Sequence, residues 1–329
     1  MGVTGIVSFD YASVGFYTYD CLGWPCNGVP PGGGTYFIDE VTIAVSGAAG
    51  ASVIAGSKVG LSALAVGGVG TDLMGDWVLQ RLQHFGVNTA QMARLADTST
   101  SASIVTTRKD GSRPALHVKG ATGVFTIDEN DFNSVTDAKV LHLGGVGLMD
   151  AMDGEGTARL MKHAKSRGVI TTVDVFAGSQ ADLPDVEAVL PYTDYFIPSI
   201  EEAEALSGMN DIKRMASFFL DKGAQCCIFT LGEHGAYYHH RDGTRIQVPA
   251  HSIDVKCTCG CGDVFNAGIA TALVKGMQPK EAMRFASAMS ALNATGLGSQ
   301  AGIESFDQVI NFMNSCRTRE PEFLVGENN

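Results

Sequence analysis

The sequence predicts an α/β protein, a Rossmann-like three-layer α/β/α sandwich with a small β-sheet lid. Three observations lead there. From about residue 135 onward, short apolar runs alternate with helical stretches, as in a parallel sheet wrapped by helices. Earlier, β-like segments recur near residues 10–45 and 100–120, as if two discontinuous pieces of chain built one small lid. Finally, 40 glycines sit in a chain of ordinary hydrophobicity (45%), which points to tight turns and close approach of backbone to a ligand.

Taken in order, residues 5–25 are apolar and aromatic, as a first strand would be, and Gly28 to Gly34 form a Pro/Gly-rich loop. Phe37 to Val45 reads as the next strand and leads into a small-residue helix ending near Gly60. Leu61 to Val66 is a strand closed by glycines 67–70, and Asp72 to Phe85 is an amphipathic helix stopped by Gly86. Ala102–Thr107 and Ala115–Val118, joined across Asp110-Gly111, pattern as a hairpin. Strands then follow at 140–143, 170–175, 195–197 and 227–230, with helices at 154–166, 200–206 and 212–222. A strand pair at 235–239 and 245–248 precedes helices from about Gly262 and from Pro279 to Leu292. Residues 1–329 read as one domain, with a charged, mobile tail expected over 317–329.

Composition excludes several function classes. A net charge of −12 repels phosphate backbones, so nucleic acid is not an expected partner. The apolar stretch from Val41 to Val66 is interrupted by Ser46, Gly47, Gly50, Ser57 and Lys58, so it reads as core and not as a membrane span. No basic region followed by an apolar core opens the chain, and a cytoplasmic location is expected. Eight cysteines in this length do not make a disulfide framework. Cys257, Cys259 and Cys261 could supply three soft ligands for zinc or copper(I), but no fourth ligand stands at a matching spacing. Packing in a tight loop is the favoured reading of that trio.

The most informative segment runs from Cys257 to Gly268. Gly260 and Gly262 let backbone N–H groups turn toward one point at the start of an alanine-rich helix, where unpaired donors and the helix dipole favour an anion. Asp263 stands in that first turn. It could be an ordinary helix cap, or it could take a proton from an attacking hydroxyl while the amides stabilise a transferring phosphoryl group. No Gly-Lys-Ser/Thr follows, so this is not a Walker loop, and no G-x-G-x-x-G follows a first strand as a dinucleotide fold requires.

Gly260-Cys261-Gly262-Asp263-Val264-Phe265 resembles the Gly-Ala-Gly-Asp-x-Phe signature of the ribokinase-like, or PfkB, carbohydrate kinase family. Thr230-Leu231-Gly232-Glu233-His234-Gly235 resembles its Thr-Leu-Gly-x-x-Gly nucleotide loop, and Pro198-Ser199-Ile200-Glu201-Glu202 its Pro-Asn-x-x-Glu segment. Ser46–Gly50 and Gly67–Gly75 resemble its two early glycine motifs. All stand in the family's order, and the resemblance covers roughly residues 5–312. It implies an ATP-dependent kinase acting on a hydroxyl of a small sugar, with Asp263 as general base and the amides of Gly260, Cys261 and Gly262 as anion hole. It implies ATP contacts at Ser199, Thr230, Gly232, Gly235 and Asn293, the last near adenine, and Mg2+ organised by Glu202. It also implies substrate positions at Gly47 and Gly144, and a homodimer through the lid.

Four departures touch the substrate and cation sites. The family's substrate aspartate in the first strand falls on Val14, so its task passes to Asp10 or to Asp20. Gly50 stands for an asparagine, Ser199 for another, and Cys257 for an aspartate that helps hold K+ in relatives. A neutral thiol is a poor ligand for a hard cation, which puts K+ in doubt. The aromatic residues Phe9, Tyr11, Phe16, Tyr17, Tyr19 and Trp24 leave open a nucleoside acceptor, and the losses leave open a kinase-like binding protein without catalysis.

Overall fold

The computed structural model describes residues 8–319. The chain enters through β1 (Phe9–Gly15), then builds β2 (Thr18–Trp24), β3 (Glu40–Ser46), α1 (Ala48–Lys58), β4 (Ala63–Gly70), α2 (Leu73–His84) and β5 (Asn88–Leu95). The hairpin β6 (Ala102–Thr106) and β7 (Ala115–Val118) follows, with two single-turn helices α3 (Ala121–Val124) and α4 (Phe132–Val135). Next come β8 (Ala138–Val146), α5 (Glu155–Ser166), β9 (Ile170–Val175), α6 (Leu183–Val189), β10 (Tyr195–Phe196), α7 (Ile200–Ser207), α8 (Ile212–Asp221) and β11 (Cys226–Thr230). The hairpin β12 (Ala236–His240) and β13 (Arg245–Val248) leads to α9 (Cys261–Val274), α10 (Pro279–Ala294) and α11 (Phe306–Ser315).

Nine strands form one sheet in the order β13-β12-β11-β10-β9-β8-β1-β4-β5, and four form a second in the order β3-β2-β6-β7. From β11 to β5 the pairing is parallel, while β12 and β13 close one edge antiparallel. The interior strand β1 is buried on both sides. Ala12 and Val14 pack with Leu141, Leu143, Leu160, Phe196 and Phe219 beneath α5–α8, while Tyr11 packs with Ala65, Val53, Val78 and Leu82 beneath α1 and α2. A parallel strand covered by helices on both faces must be apolar on both, as this one is. α9 lies directly on α10 because Gly268 has no side chain; a Cβ there would stand 2.6 Å from Ala286 Cα.

The first strand expected over residues 5–25 is two strands in two sheets. β1 belongs to the large sheet, and the lid begins at β2, not near residue 10. The turn between them is forced by Gly15 at φ 133°. β5, α6 and α11 were not anticipated; β5 alternates exposed polar and half-buried residues at the sheet edge, a weak signal by itself. In the expected tail, Arg317 to Arg319 are docked: Ser252 N donates to Arg317 O and Arg319 N to Ala250 O, both at 2.8 Å. Residues 5–7 of the expected first strand and 320–329 of the tail lie outside the described residues. No helix among the described residues is long and apolar enough to cross a membrane.

Candidate active site

In the large sheet the chain moves outward from β1 in both directions, to β4 and β5 on one side and to β8 onward on the other. The crevice beyond the carboxyl ends of β1 and β8 is therefore the topological switch point, where open α/β sheets bind ligands. Backbone crowds there. A Cβ on Gly144 would lie 2.8 Å from the carbonyl carbon of Ala48, and one on Gly47, at φ 85°, 2.5 Å from Phe16 O. Gly47 and Gly144 thus sit at the crevice as close-packing positions. The amides of Ala49 and Gly50 at the start of α1 already donate to Phe16 O, each at 3.1 Å.

The start of α9 opens on the same crevice. Gly260, not Asp263, is its N-cap, in the left-handed region at φ 72°, where a Cβ would lie 2.5 Å from Ser299 Oγ. The reading of Asp263 as an ordinary cap is thereby removed. The three expected amides are not equivalent, since Cys261 N donates to Thr258 O at 3.3 Å. Gly260 and Gly262 keep their N–H groups without a protein acceptor among the described residues, and nothing stands within 4 Å of where a Gly262 Cβ would be. Of the three amides expected to form an anion hole, only the two glycine amides at the helix N-terminus are left unpaired among the described residues.

Asp263 stands half-buried between these amides and several charges. Desolvation pushes its carboxyl up to about 6; Arg113 opposes that and Asp20 adds to it. Arg113 reaches in from the turn between β6 and β7. Desolvation would lower its pKa, but Cys259, Asp263, Cys261 and Cys257 outweigh it and the net shift is upward. Its sequence neighbourhood, Asp110-Gly111-Ser112, reads only as a turn, so the sequence reading missed it. The turn is held against the α9 loop where Thr258 Oγ1 donates to Gly111 O at 3.0 Å.

A second carboxylate group lies behind Asp263. Glu202 closes a capping box at the start of α7: its Oε2 accepts from Ser199 N at 2.9 Å and Ser199 Oγ at 2.8 Å. Ser199, expected to touch nucleotide, spends its hydroxyl on that cap. Burial raises the Glu202 pKa against these hydrogen bonds, with the Asp263 charge adding to the rise. Asp174, at the end of β9, is also driven upward by burial and then by Glu202 and Asp263. Asp174 was missed because an aspartate inside Thr172-Val173-Asp174-Val175 looks like any strand residue. The Asp263 charge raises both Glu202 and Asp174, and Glu202 raises Asp174, a clustering of negative charge that a divalent cation would relieve. Among the described residues no three such groups are arranged to ligate a metal directly.

On the acceptor side the structure separates the two candidate aspartates. Asp10 sits at the amino end of β1, the far edge of the sheet, accepting from Lys139 Nζ at 2.7 Å and Ser62 Oγ at 3.0 Å. Its polar partners are those of a structural residue, and it takes no part in the crevice. Asp20, on β2, is buried under the lid and faces Cys259, Ser46, Ser103 and Thr18. Burial raises its pKa although those hydroxyls lower it. Ser103 Oγ and His117 Nδ1 are hydrogen-bonded at 3.0 Å, and His117 meets Phe16 edge-on at 5.3 Å. The aromatic residues that kept a nucleoside acceptor open are otherwise engaged. Tyr11 and Tyr17 are core, and Tyr19 packs on Trp77. Gly50 faces Tyr17 and Val45, which take up the room of the absent asparagine.

A cavity of about 500 Å3 adjoins Gly262 and runs past Thr230, Gly232 and Gly235 to His251, Ser287 and Ala291. Thr230, Gly232 and Gly235 line it as expected, and Gly235 at φ 96° is obligatory, since a Cβ would lie 1.9 Å from Val248 O. Asn293 does not line it. It is fully buried, donating to Cys259 O at 2.8 Å and accepting from Gln300 N at 2.6 Å, so it braces the α9 loop and touches no adenine site. Cys257 is ringed by donors: the Cys259 thiol holds it down to about 5 against burial, helped by the Gly298 and Cys259 amides and the Thr107 hydroxyl. A sulfur surrounded by donors does not fit a K+ site, which needs oxygen acceptors.

A model of the pfkB family carbohydrate kinases matches residues 32–305. A deoxyribokinase of Salmonella typhimurium is 26% identical over 313 residues, covering 93% of this chain and 99% of its own. The 2-dehydro-3-deoxygluconokinase of Bacillus subtilis is 24% identical over 262 residues, covering 76% of this chain and 80% of its own. In fold, the chain is similar to Arabidopsis thaliana ribokinase complexed with ribose and ATP (TM-score 0.78, 22% identity, 93% of this chain and 98% of that one). It is equally similar to a putative ribokinase II of E. coli in complex with ATP and Mg2+ (TM-score 0.78, 21% identity, 93% and 99%). The large sheet, the lid and the motifs on them thus have one explanation: this chain belongs to the pfkB family of carbohydrate kinases.

Proposed function

We propose that this carbohydrate kinase transfers the γ-phosphoryl group of ATP to a hydroxyl of a small, neutral sugar or deoxysugar, with Asp263 as general base. The single observation that carries the reading is the Asp263 carboxylate in the first turn of α9, beside the two unpaired amides of Gly260 and Gly262 and interacting electrostatically with Arg113. ATP would lie in the cavity with its triphosphate toward Gly262 at the start of α9. The acceptor lies under the lid, where Asp20 accepts from sugar hydroxyls and Ser46, Ser103 and His117 complete a polar wall. A carboxylate at that position favours hydroxyl donors and disfavours an acidic sugar.

In transfer, Asp263 takes the proton from the attacking hydroxyl as its oxygen bonds to the γ-phosphorus. The bond from that phosphorus to the β–γ bridging oxygen breaks, and charge on the moving group is held by Gly260 N, Gly262 N and Arg113. With a pKa of about 6, Asp263 is mostly ionised at pH 7 yet basic enough to accept a proton. Glu202 and Asp174 would hold the waters of Mg2+, which when bound neutralises phosphate charge.

The outer face of the lid supports a dimer. Val41 and Ile43 on β3, Ile104 on β6, and Leu116 and Val118 on β7 fall on one face by register and are 40–69% exposed. An apolar sheet face of this kind on a second copy would cover it. The test of the main reading is Asp263→Asn, assayed by ADP release with a panel of neutral sugars, deoxysugars, sugar acids and nucleosides. Retained turnover would remove Asp263 as the base, and preference for an acid would remove Asp20 as the acceptor contact.

A further inference from the structure

The cavity assigned to nucleotide has a wall from outside the family's matched region. The match ends at residue 305, whereas Arg319 lines the cavity together with Glu233, Gly232 and Gly235. Its backbone is fixed there, because Arg317 to Arg319 run antiparallel to Ala250–Ser252 through two hydrogen bonds of 2.8 Å and a bridge between His251 and Thr318. Its guanidinium is paired with the carboxylate of Glu233, in the tight turn that follows Thr230. Both side chains remain substantially exposed, at 41% and 63%. An exposed pair of this kind contributes little net stability and exchanges partners readily.

The cavity's charge balance gives the pair a purpose. Asp110 and Glu233 are acidic, and burial pushes the His251 pKa down, so among the described lining residues Arg319 is the one permanent cation. A nucleotide brings several negative charges into a chain that already carries −12. A guanidinium binds phosphate oxygens in the same two-pronged geometry as a carboxylate, so a multiply charged nucleotide can take the place of Glu233.

We propose that Arg319 is a nucleotide-binding residue that exchanges Glu233 for phosphate oxygens of the bound nucleotide, with Glu233 holding it in place while the cavity is empty. The inference rests on the reading of this cavity as the nucleotide site. It makes two predictions of opposite sign. Removing the arginine weakens binding of phosphorylated nucleotide, whereas removing its carboxylate competitor strengthens it.

The experiment is calorimetric titration of the full chain with MgADP and, separately, with adenosine, which lacks phosphate. Arg319→Ala is expected to weaken MgADP about 10-fold and adenosine less than about 2-fold, since a charge-assisted phosphate contact is lost and the wall is not. Glu233→Gln is expected to tighten MgADP by about 3-fold, the double variant to behave like Arg319→Ala, and Arg319→Lys to recover part of the affinity. Equal loss of MgADP and adenosine in Arg319→Ala would overturn the proposal, and so would unchanged or weaker MgADP binding by Glu233→Gln. If the unaltered protein binds neither ligand, the nucleotide-site reading itself falls and takes this inference with it. Normal binding by the unaltered protein with either of the former results sinks the exchange alone.

Discussion

Replacing Asp263 with asparagine should make the protein inactive and more stable at once. The carboxyl's pKa lies near 6 in the folded chain against 3.8 for a free aspartate, because the site desolvates it and places Asp20 beside it. The sign follows directly. Below about pH 4 both folded and unfolded chains carry the proton and the group costs nothing. Between about pH 4 and 6 the unfolded chain ionises first, and above 6 the full penalty is present. A shift of about 2 units corresponds to roughly 3 kcal/mol at 1.36 kcal/mol per unit. The carboxyl still meets solvent in the crevice, so about 1–2 kcal/mol is the reasonable expectation. For a chain of roughly 300 ordered residues, unfolding entropy of about 0.6 kcal/mol/K turns that into a rise in Tm of about 2–3 °C. Asparagine carries no charge and escapes the penalty, so the gain should be full at pH 8 and shrink to about a third of that at pH 4.5. Transfer should fall by about 10³-fold, near 4 kcal/mol, as for a lost general base. Thermal melts at the two pH values and an ADP-release assay measure both effects. A variant within about 10-fold of normal turnover refutes the base, and a Tm gain equal at both pH values refutes the electrostatic account.

The two glycines of the α9 turn should respond differently to alanine. Gly260→Ala meets a left-handed φ and Ser299 Oγ at 2.5 Å, and should cost about 2 kcal/mol or more in chemical denaturation. Gly262→Ala has open space, so its melting curve should stay near that of the parent while its methyl group weakens MgATP binding in titration. Asp20→Asn should raise KM for the sugar about 10-fold or more, with ADP affinity by calorimetry altered far less; an equal effect on both would place Asp20 elsewhere than the acceptor site. Ile104→Glu with Leu116→Glu puts charge on the apolar lid face; light scattering should report the parent as the proposed dimer and this variant as a monomer, and a monomeric parent would remove the dimer reading.

Much of this organisation could be read from local pattern. The strand Ile170–Val175 and the helices beginning at Ile200, Ile212 and Pro279 emerge where their periodicity and caps predict them, because hydrophobic spacing and capping chemistry act over a few residues. The turn at Gly260–Asp263 was also legible, since two glycines before a small-residue helix have few other uses. β5 was not, because an edge strand with exposed polar residues owes its existence to its neighbour β4. Asn293 was misread for a related reason. A buried amide bracing Cys259 and Gln300 looks, in one dimension, like an amide facing a ligand.

The order of the glycine motifs and the acid behind them determined the family chemistry, because backbone conformation at a glycine turn is a local property of the chain. Which acids, bases and amides face one another was decided by tertiary structure alone. Asp10 and Asp20 are ten residues apart, yet β1 and β2 enter different sheets, leaving one at the far edge and the other under the lid. Arg113 reaches Asp263, and Arg319 reaches Glu233, only because a hairpin and a C-terminal segment fold back across the sheet. Charge interactions depend on distance through space, and that distance is set by how the layers pack.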